Sequence, residues 1–346
     1  MAESTLAITL ADLRNEVARF QGYMQWDSAG SSTNYDALTA AQQAEVTAII
    51  ASGLRQFYAP PPLPGERTAH VWSFLRRVRA IAIPAPVAMG SSNAVSTCVS
   101  GLVSLSGATN IPSWVASGVA QFGSAGKFWS VSTRVGDHSF QLDDTDADSL
   151  IEAGDTVTFY QCIFDLPDDF GGIDGNVTFD AGRRKGFVQQ TNEARIRMLA
   201  SNSTAVRAPE VYAVRPRSWP DGSATGTRHE MMVWPWPDQA YVVEYPYKVL
   251  PNKLGSATYV PLGGAQHGEA IRCSCLAVAE QYAVTERTDY RTRQWPAALA
   301  ASVLRDRQDM GANLGYNRDL SGDDGVRWSL RRWDETTITT VNGVEP

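Results

Sequence analysis

Apolar residues recur every three to four positions near both ends of this chain and every second position through much of its middle. That double change of period restricts the fold to helices at the termini and strands between them. Thr9 precedes Leu10, Leu13, Val17 and Phe20, with Asp12 three residues after the candidate cap and Gly22 as a stop signal. Thr39 with Gln42 repeats the capping pattern, and Val46, Ile49, Ile50, Leu54 and Phe57 mark one face of a second helix that ends before Pro60, Pro61 and Pro62. Toward the other end, Gln266 to Arg287 carries Ile271, Cys275, Val278, Ala279 and Tyr282 on one side, with Glu269, Arg272, Glu280 and Glu286 mostly elsewhere. A fourth helix runs from Trp295, with Pro296 suited to its first turn, through Leu299 and Val303 to about Met310.

The middle reads as β-structure. Val71 to Leu75 is an expected strand followed by Arg76, Arg77 and Arg79, a basic cluster that suits a solvated face or a phosphate contact. Ile81 to Met89 is its continuation or a linker. Short alternating runs at Val95 to Leu105, Val119 to Phe122, Phe128 to Val135, Ser139 to Leu142 and Thr156 to Ile163 predict a small sandwich or barrel. Phe187 to Gln190, a helix capped by Thr191 or Asn192 and running through Ile196 and Leu199, and Pro209 to Arg215 follow. From Met231 to Leu254 prolines bracket two apolar runs, which predicts a hairpin over 231–247 with Pro235, Pro237 and Asp238 in its turn. Pro246 cannot donate to a ladder, so the second run is expected to be an edge strand or to bend there.

The expected fold class is therefore α+β: a four-helix bundle formed by the N- and C-terminal helix pairs, with a β-rich body and an inserted small β-sandwich or barrel between them. The expected boundaries are 1–60 for the first helix pair, 61–93 for a strand and linker, and 94–164 for the insertion. They continue with 165–262 for the body, 263–312 for the second helix pair and 313–346 for an extended C-terminal tail.

Composition narrows the chemistry. A formal net charge of -7 over 346 residues argues against gripping nucleic acid by counterion release, which needs a basic surface. No run approaches the roughly 20 apolar residues of a membrane helix, and Leu6 to Leu10 lacks the basic flank of a signal peptide, so no membrane partner is expected. Cys98, Cys162, Cys273 and Cys275 lack zinc spacing, and reduced thiols are expected, with a Cys98–Cys162 pair left open. Asp144 to Asp155 places carboxylates at positions one, three, five, nine and twelve of a calcium loop, but Ser149 stands where glycine is required. A solvated acidic turn is the competing reading.

No nucleophile with a base, metal cluster or phosphate loop emerges, and no cofactor or catalytic residue is expected. His70, His138, His229 and His267 fall in no hydrolase or metal motif, and His267-Gly268-Glu269 lacks the second His of a zinc signature. Asp168 with Asp169, or Glu152 with Asp155, are the pairs a glycan hydrolase would use. In the tail, Trp328, Arg331, Arg332 and Trp333 are residue types that anchor protein interfaces.

An ordered series of motifs carries a resemblance: Gly126 to Arg134, Phe140 to Asp143, Phe159 to Gln161, Asp165 to Phe170, Trp236-Pro237-Asp238 and Val243 to Tyr247, between two opening and two closing helices. Over roughly residues 5 to 312 the chain resembles the head-to-tail adaptor (connector) proteins of tailed bacteriophages, of the tail tubular protein A type. The resemblance implies a virion structural protein, made in the host bacterial cytoplasm and assembled as a dodecameric ring. Its implied partners are the portal, the next tail component and DNA sliding through the lumen without specific binding. On that reading Trp328, Arg331, Arg332 and Trp333 dock on the portal. Another tail component, such as a nozzle or fibre-attachment protein, and a particle-associated glycan or cell-wall hydrolase are the alternatives.

Overall fold

The computed structural model describes residues 4–24, 35–123, 127–145, 147–180, 186–217, 228–283 and 289–309. Among them the helices are α1 (Leu10–Phe20), α2 (Ala40–Tyr58), α3 (Glu193–Asn202), α4 (Gly264–Tyr282) and α5 (Trp295–Asp309). The strands are β1 (Arg76–Ile83), β2 (Val87–Met89), β3 (Val95–Val99), β4 (Leu102–Leu105), β5 (Gly118–Phe122), β6 (Phe128–Arg134), β7 (Ser139–Leu142) and β8 (Val157–Gln161). Then come β9 (Ile163–Asp165), β10 (Phe170–Ile173), β11 (Val177–Phe179), β12 (Phe187–Gln190), β13 (Val211–Pro216), β14 (His229–Trp234) and β15 (Tyr241–Val249). Helices and sheets mostly occupy separate runs of sequence, so the fold class is α+β. The described residues divide into a helical unit, within Met1–Arg77 and Val249–Asn317, and a β unit within Val78–Lys248.

Both expected capping boxes form in the helical unit. The Thr9 hydroxyl accepts from Asp12 N while Asp12 accepts from Thr9 N at 2.9 Å, and Thr39 with Gln42 repeats the exchange. Leu13, Val17, Val46, Ile49, Phe57, Ile271, Leu276, Leu299 and Val303 then share one core, drawn from both ends of the sequence. Helix α4 is its hub and packs against α1, α2 and α5. The sequence pattern gives α4 one apolar side, yet it is buried nearly all round, including Ser274 and Glu280. Its Ala, Ser and Cys residues are the reason, because small side chains let neighbouring helices close in on several sides at once. The tightest approach is at Gly53 of α2, where a Cβ would lie 2.6 Å from Cys275 Cα. Ser274 Oγ donates to the Gly53 carbonyl at 2.8 Å across the same contact.

The expected strand over 71–75 is instead a 3-10 turn at Ser73–Leu75, with β1 beginning at Arg76. Tertiary packing overrides strand propensity here. Trp72 is buried against Phe57 and Phe74, its indole N–H donates to the Phe57 carbonyl at 2.8 Å, and the Ser73 backbone N–H is held by Asp306.

The β unit contains two sheets. The first has the order β2-β8-β5-β6-β7-β4-β3 and is antiparallel throughout. It wraps one core containing Val103, Phe122, Trp129, Phe140, Leu142 and Phe159. Its ends nearly meet: Val95 at the start of β3 donates to the Asp155 carbonyl and accepts from Gly154 N, both at 2.8 Å, just ahead of β8. The β3–β4 turn is Ser100-Gly101, with φ of 51° and 75°, the left-handed pair that a two-residue hairpin turn demands.

The second sheet has the order β1-β15-β11-β12-β13-β14-β9, with β10 also paired to β15. β12 and β13 are parallel, and α3, capped by Asn192, makes the crossover between them. This order corrects the expected hairpin over 231–247, since β14 and β15 are not neighbours. Both edges of β14 are taken, by β13 over Val211↔Trp234 to Pro216↔His229 and by β9 over Asp165↔Glu230. The proline-rich turn contributes no donors at Pro235 or Pro237 and closes on itself, with Tyr241 Oη donating to Asp238 at 2.5 Å. β15 is also interior and not an edge. Pro246 is accommodated because its carbonyl accepts from Asp174 N at 2.9 Å in the break between β10 and β11, so its missing donor falls where no strand residue needs it.

Candidate functional site

The histidines show how the helical unit uses its polar residues. His70 Nε2 lies 2.8 Å from Asp306, whose carboxylate also accepts the Ser73 hydroxyl at 2.6 Å and the Ser73 backbone N–H at 3.1 Å. Serine, histidine and aspartate thus meet, but the hydroxyl faces the carboxylate and not the imidazole, which is not the order of contacts in a hydrolytic triad. Asp306 is 1% exposed, and its contacts fasten the turn at 73–75 to α5. His267 Nδ1 meets Ser302 Oγ at 2.5 Å beside the rings of Phe57, Trp72 and Phe74. Glu280 is a third such tie. Its two oxygens accept the Tyr290 and Arg291 backbone N–H groups at 2.9 and 2.8 Å, at a π-helical turn over Tyr290–Gln294 that leads into α5.

The two carboxylates of the Asp168–Asp169 pair are held by separate partners. Asp168 pairs with Arg228 at 3.3 Å, and Asp169 accepts the Tyr247 hydroxyl at 3.2 Å. Asp155 accepts Glu152 N at 3.0 Å within its own turn. In the calcium-like stretch, Asp148 accepts from Ser100 N at 2.6 Å and Gly101 N at 3.0 Å, with the Cys98 thiol also donating to it. The Gly101 and Ser100 amides hold this carboxylate below the usual range, and they do so by stabilising the charged form. Asp148 is therefore spent on the β3–β4 turn. Asp144 lies 3.7 Å from Lys127, and Asp146 is outside the described residues. Among the described residues no group of three or more His, Cys, Asp or Glu could hold a metal ion.

All four cysteines are free. Burial pushes the Cys162 and Cys275 thiols up to about 12, and burial with the neighbouring Glu269 does the same for Cys273. Cys98, reached by burial and then by Asp148, rises to about 11. Thiolate chemistry near neutral pH is thereby suppressed at every one of them.

What remains at the surface suits contact. An open groove of about 510 Å³ on the helical unit is lined by Asp12, Asn15, Glu16, Arg19, Phe20, Leu276 and Tyr290. Its rim carries both charge signs, and beside it Arg272 bridges Glu16 and Glu269. In the β unit, β1 is exposed along nearly its whole length. The expected portal-docking residues Trp328, Arg331, Arg332 and Trp333 lie outside the described residues. Sequence reasoning missed Asp306, Ser302 and Glu280 because the partners of the first two are distant in sequence and those of Glu280, Tyr290 and Arg291, belong to a different helical element. Only a polar residue on an otherwise apolar helix face hints at such ties.

No described helix is long and apolar enough to cross a membrane. No protein-family model matches the chain, and no curated protein matches it.

Proposed function

We propose that this chain is a virion structural protein, a head-to-tail adaptor that forms a ring between the portal and the tail of a bacteriophage. The observation that carries the reading is topological: helices from the two ends of the chain share one core, and the residues between them build two sheets. This is the arrangement that the ordered motifs imply. In the proposal α1, α2, α4 and α5 act as a four-helix bundle that forms the ring, and the β unit meets the next tail component. The contacts would be heterologous, each subunit using two different patches, with rotation closing a dodecamer. A formal net charge of -7 suits a lumen along which DNA slides, because like charge keeps the duplex from sticking. Trp328, Arg331, Arg332 and Trp333 supply the aromatic and guanidinium anchors for the portal.

Mass photometry of the purified chain mixed with portal rings tests the proposal. It predicts a complex heavier than the portal by the mass of a full ring, and a chain truncated at Ser321 that no longer joins it. A chain that stays monomeric beside unshifted portal rings contradicts the adaptor reading. Undiminished binding by the truncated chain contradicts the role given to the tail.

A further inference from the structure

The β3–β4 turn of the seven-stranded sheet is fastened at every backbone polar group, although it lies at an exposed end. The Ser100 and Gly101 N–H groups donate to the Asp148 carboxylate at 2.6 and 3.0 Å. Their carbonyls accept from Gln141 Nε2 and from Leu142 N, both at 2.9 Å. What this rigid turn presents is apolar. Val99 and Leu102, paired across it, are 64% and 37% exposed, and Leu150, two residues past Asp148, is 56% exposed. Exposed carboxylates border them, Asp143 directly after the Leu142 that is bonded to Gly101, and Glu152 directly after the 150–151 pair. A preorganised apolar knob with an acidic border loses little freedom on meeting a partner.

The same unit carries a surface of the opposite sign. Helix α3 buries Ile196 and half-buries Leu199, and it turns Arg195, Arg197 and Met198 outward, with Met198 55% exposed. Arg195 stands one helical turn before Met198, so the two side chains are neighbours on the outer face. Arg197 reaches Glu193 at 3.5 Å with 68% of its side chain exposed, a solvated pair that leaves its charge open to a stronger one. Met and Arg are residue types enriched at the centres of interfaces. Ile196 shares a buried cluster with Val119 of β5, and β6 and β7 lie between β5 and β4 in the sheet. The tip and α3 are therefore separate patches.

Charge decides which patches can meet. Two tips would bring carboxylates together, and two α3 helices would bring arginines together, whereas a tip on α3 pairs opposite signs and covers apolar side chains on both sides. A contact between two different patches is heterologous, the kind that closes a ring of identical subunits. We propose that the β3–β4 tip of one copy docks on α3 of the next, with Asp143 and Glu152 facing Arg195 and Arg197 around Leu150 and Met198. The contact goes beyond the adaptor reading, because it joins two copies of the β unit and needs no portal.

Sedimentation equilibrium of the full chain, without portal and up to its highest soluble concentration, tests the contact. The apparent mass should rise with concentration. Asp143→Lys with Glu152→Lys should weaken the association at least about tenfold, and Arg195→Glu with Arg197→Glu should do the same. All four substitutions together should restore it to within about threefold of the unsubstituted chain, which a merely misfolded variant would not do. A chain that stays monomeric throughout, an association indifferent to these charges, or a fourfold variant that remains as weak as either double variant overturns the contact. None of these results decides the adaptor reading, which rests on what the chain does with portal rings.

Discussion

The helical unit and the β unit solve the problem of burial in different ways. The helical unit places His267, Ser274, Glu280, Ser302 and Asp306 inside and gives each a hydrogen-bond partner, whereas the buried polar residues described in the β unit are Asn93 and Glu230, and the core wrapped by its seven-stranded sheet is apolar. A buried polar contact requires both partners in register and is costly when one is lost. An apolar core is sensitive to volume alone. The comparison teaches that the helical unit is specified by directional ties and close backbone approach, and the small sheet by packing.

Removing volume from the sheet should have the largest effect. Phe140 is 0% exposed and stacks near Phe122 and Phe159, so Phe140→Ala should cost about 4 kcal/mol, read as a lower denaturant midpoint for the β signal. A loss under about 1 kcal/mol would mean that the core collapses around the gap and is not packed as described.

Next comes a directional tie of the helical unit. Asp306→Ala strands His70, the Ser73 hydroxyl and the Ser73 N–H and should cost about 3 kcal/mol, whereas a solvent-exposed tie would cost under about 1. Urea titration followed by helical circular dichroism distinguishes the two.

A smaller loss is expected at the closest helix contact. Alanine is intrinsically better than glycine in a helix by about 1 kcal/mol, yet a Cβ at Gly53 would meet Cys275 Cα at 2.6 Å. Overpacking of this kind costs roughly 1–3 kcal/mol, so Gly53→Ala should lower thermal stability despite its propensity. Raised stability would show that α2 and α4 can separate without penalty.

The smallest effect is pH-dependent and belongs to the β unit. The Gly101 and Ser100 amides lower the Asp148 pKa in the folded state, so its contribution is present above the unfolded carboxylate pKa and is lost as pH falls through the folded value. The stability difference between the chain and Asp148→Asn should therefore be larger at pH 6 and shrink under acid. A constant difference from pH 6 to pH 2 would remove Asp148 from the β3–β4 turn.

The same contrast governs how far the sequence could be read. In the helical unit Thr9 with Asp12, Thr39 with Gln42, and the spacing of Leu13, Val17, Ile49 and Phe57 are local signals, and the helices begin where they point. In the large sheet the partners of β14 and β15 are set by contacts with β13, β9, β11 and β1, so the nearness of Trp234 and Tyr241 in sequence misled. Local proline chemistry identified the turn correctly and could not say that it joins non-neighbouring strands. β2, three residues long, falls in the stretch over 81–89 that reads as a strand continuation or a linker, because too little alternation fits in Val87–Met89 to mark a separate strand. The polar ties of the candidate site were illegible for a related reason, since His70 and Asp306 are brought together only by the fold.

The most direct test of the account is negative-stain microscopy of the full chain incubated with portal rings. Class averages should show a second, coaxial ring stacked on one end of the portal, with twelvefold symmetry. Bare portal rings with the chain dispersed as monomers would contradict the proposed adaptor function.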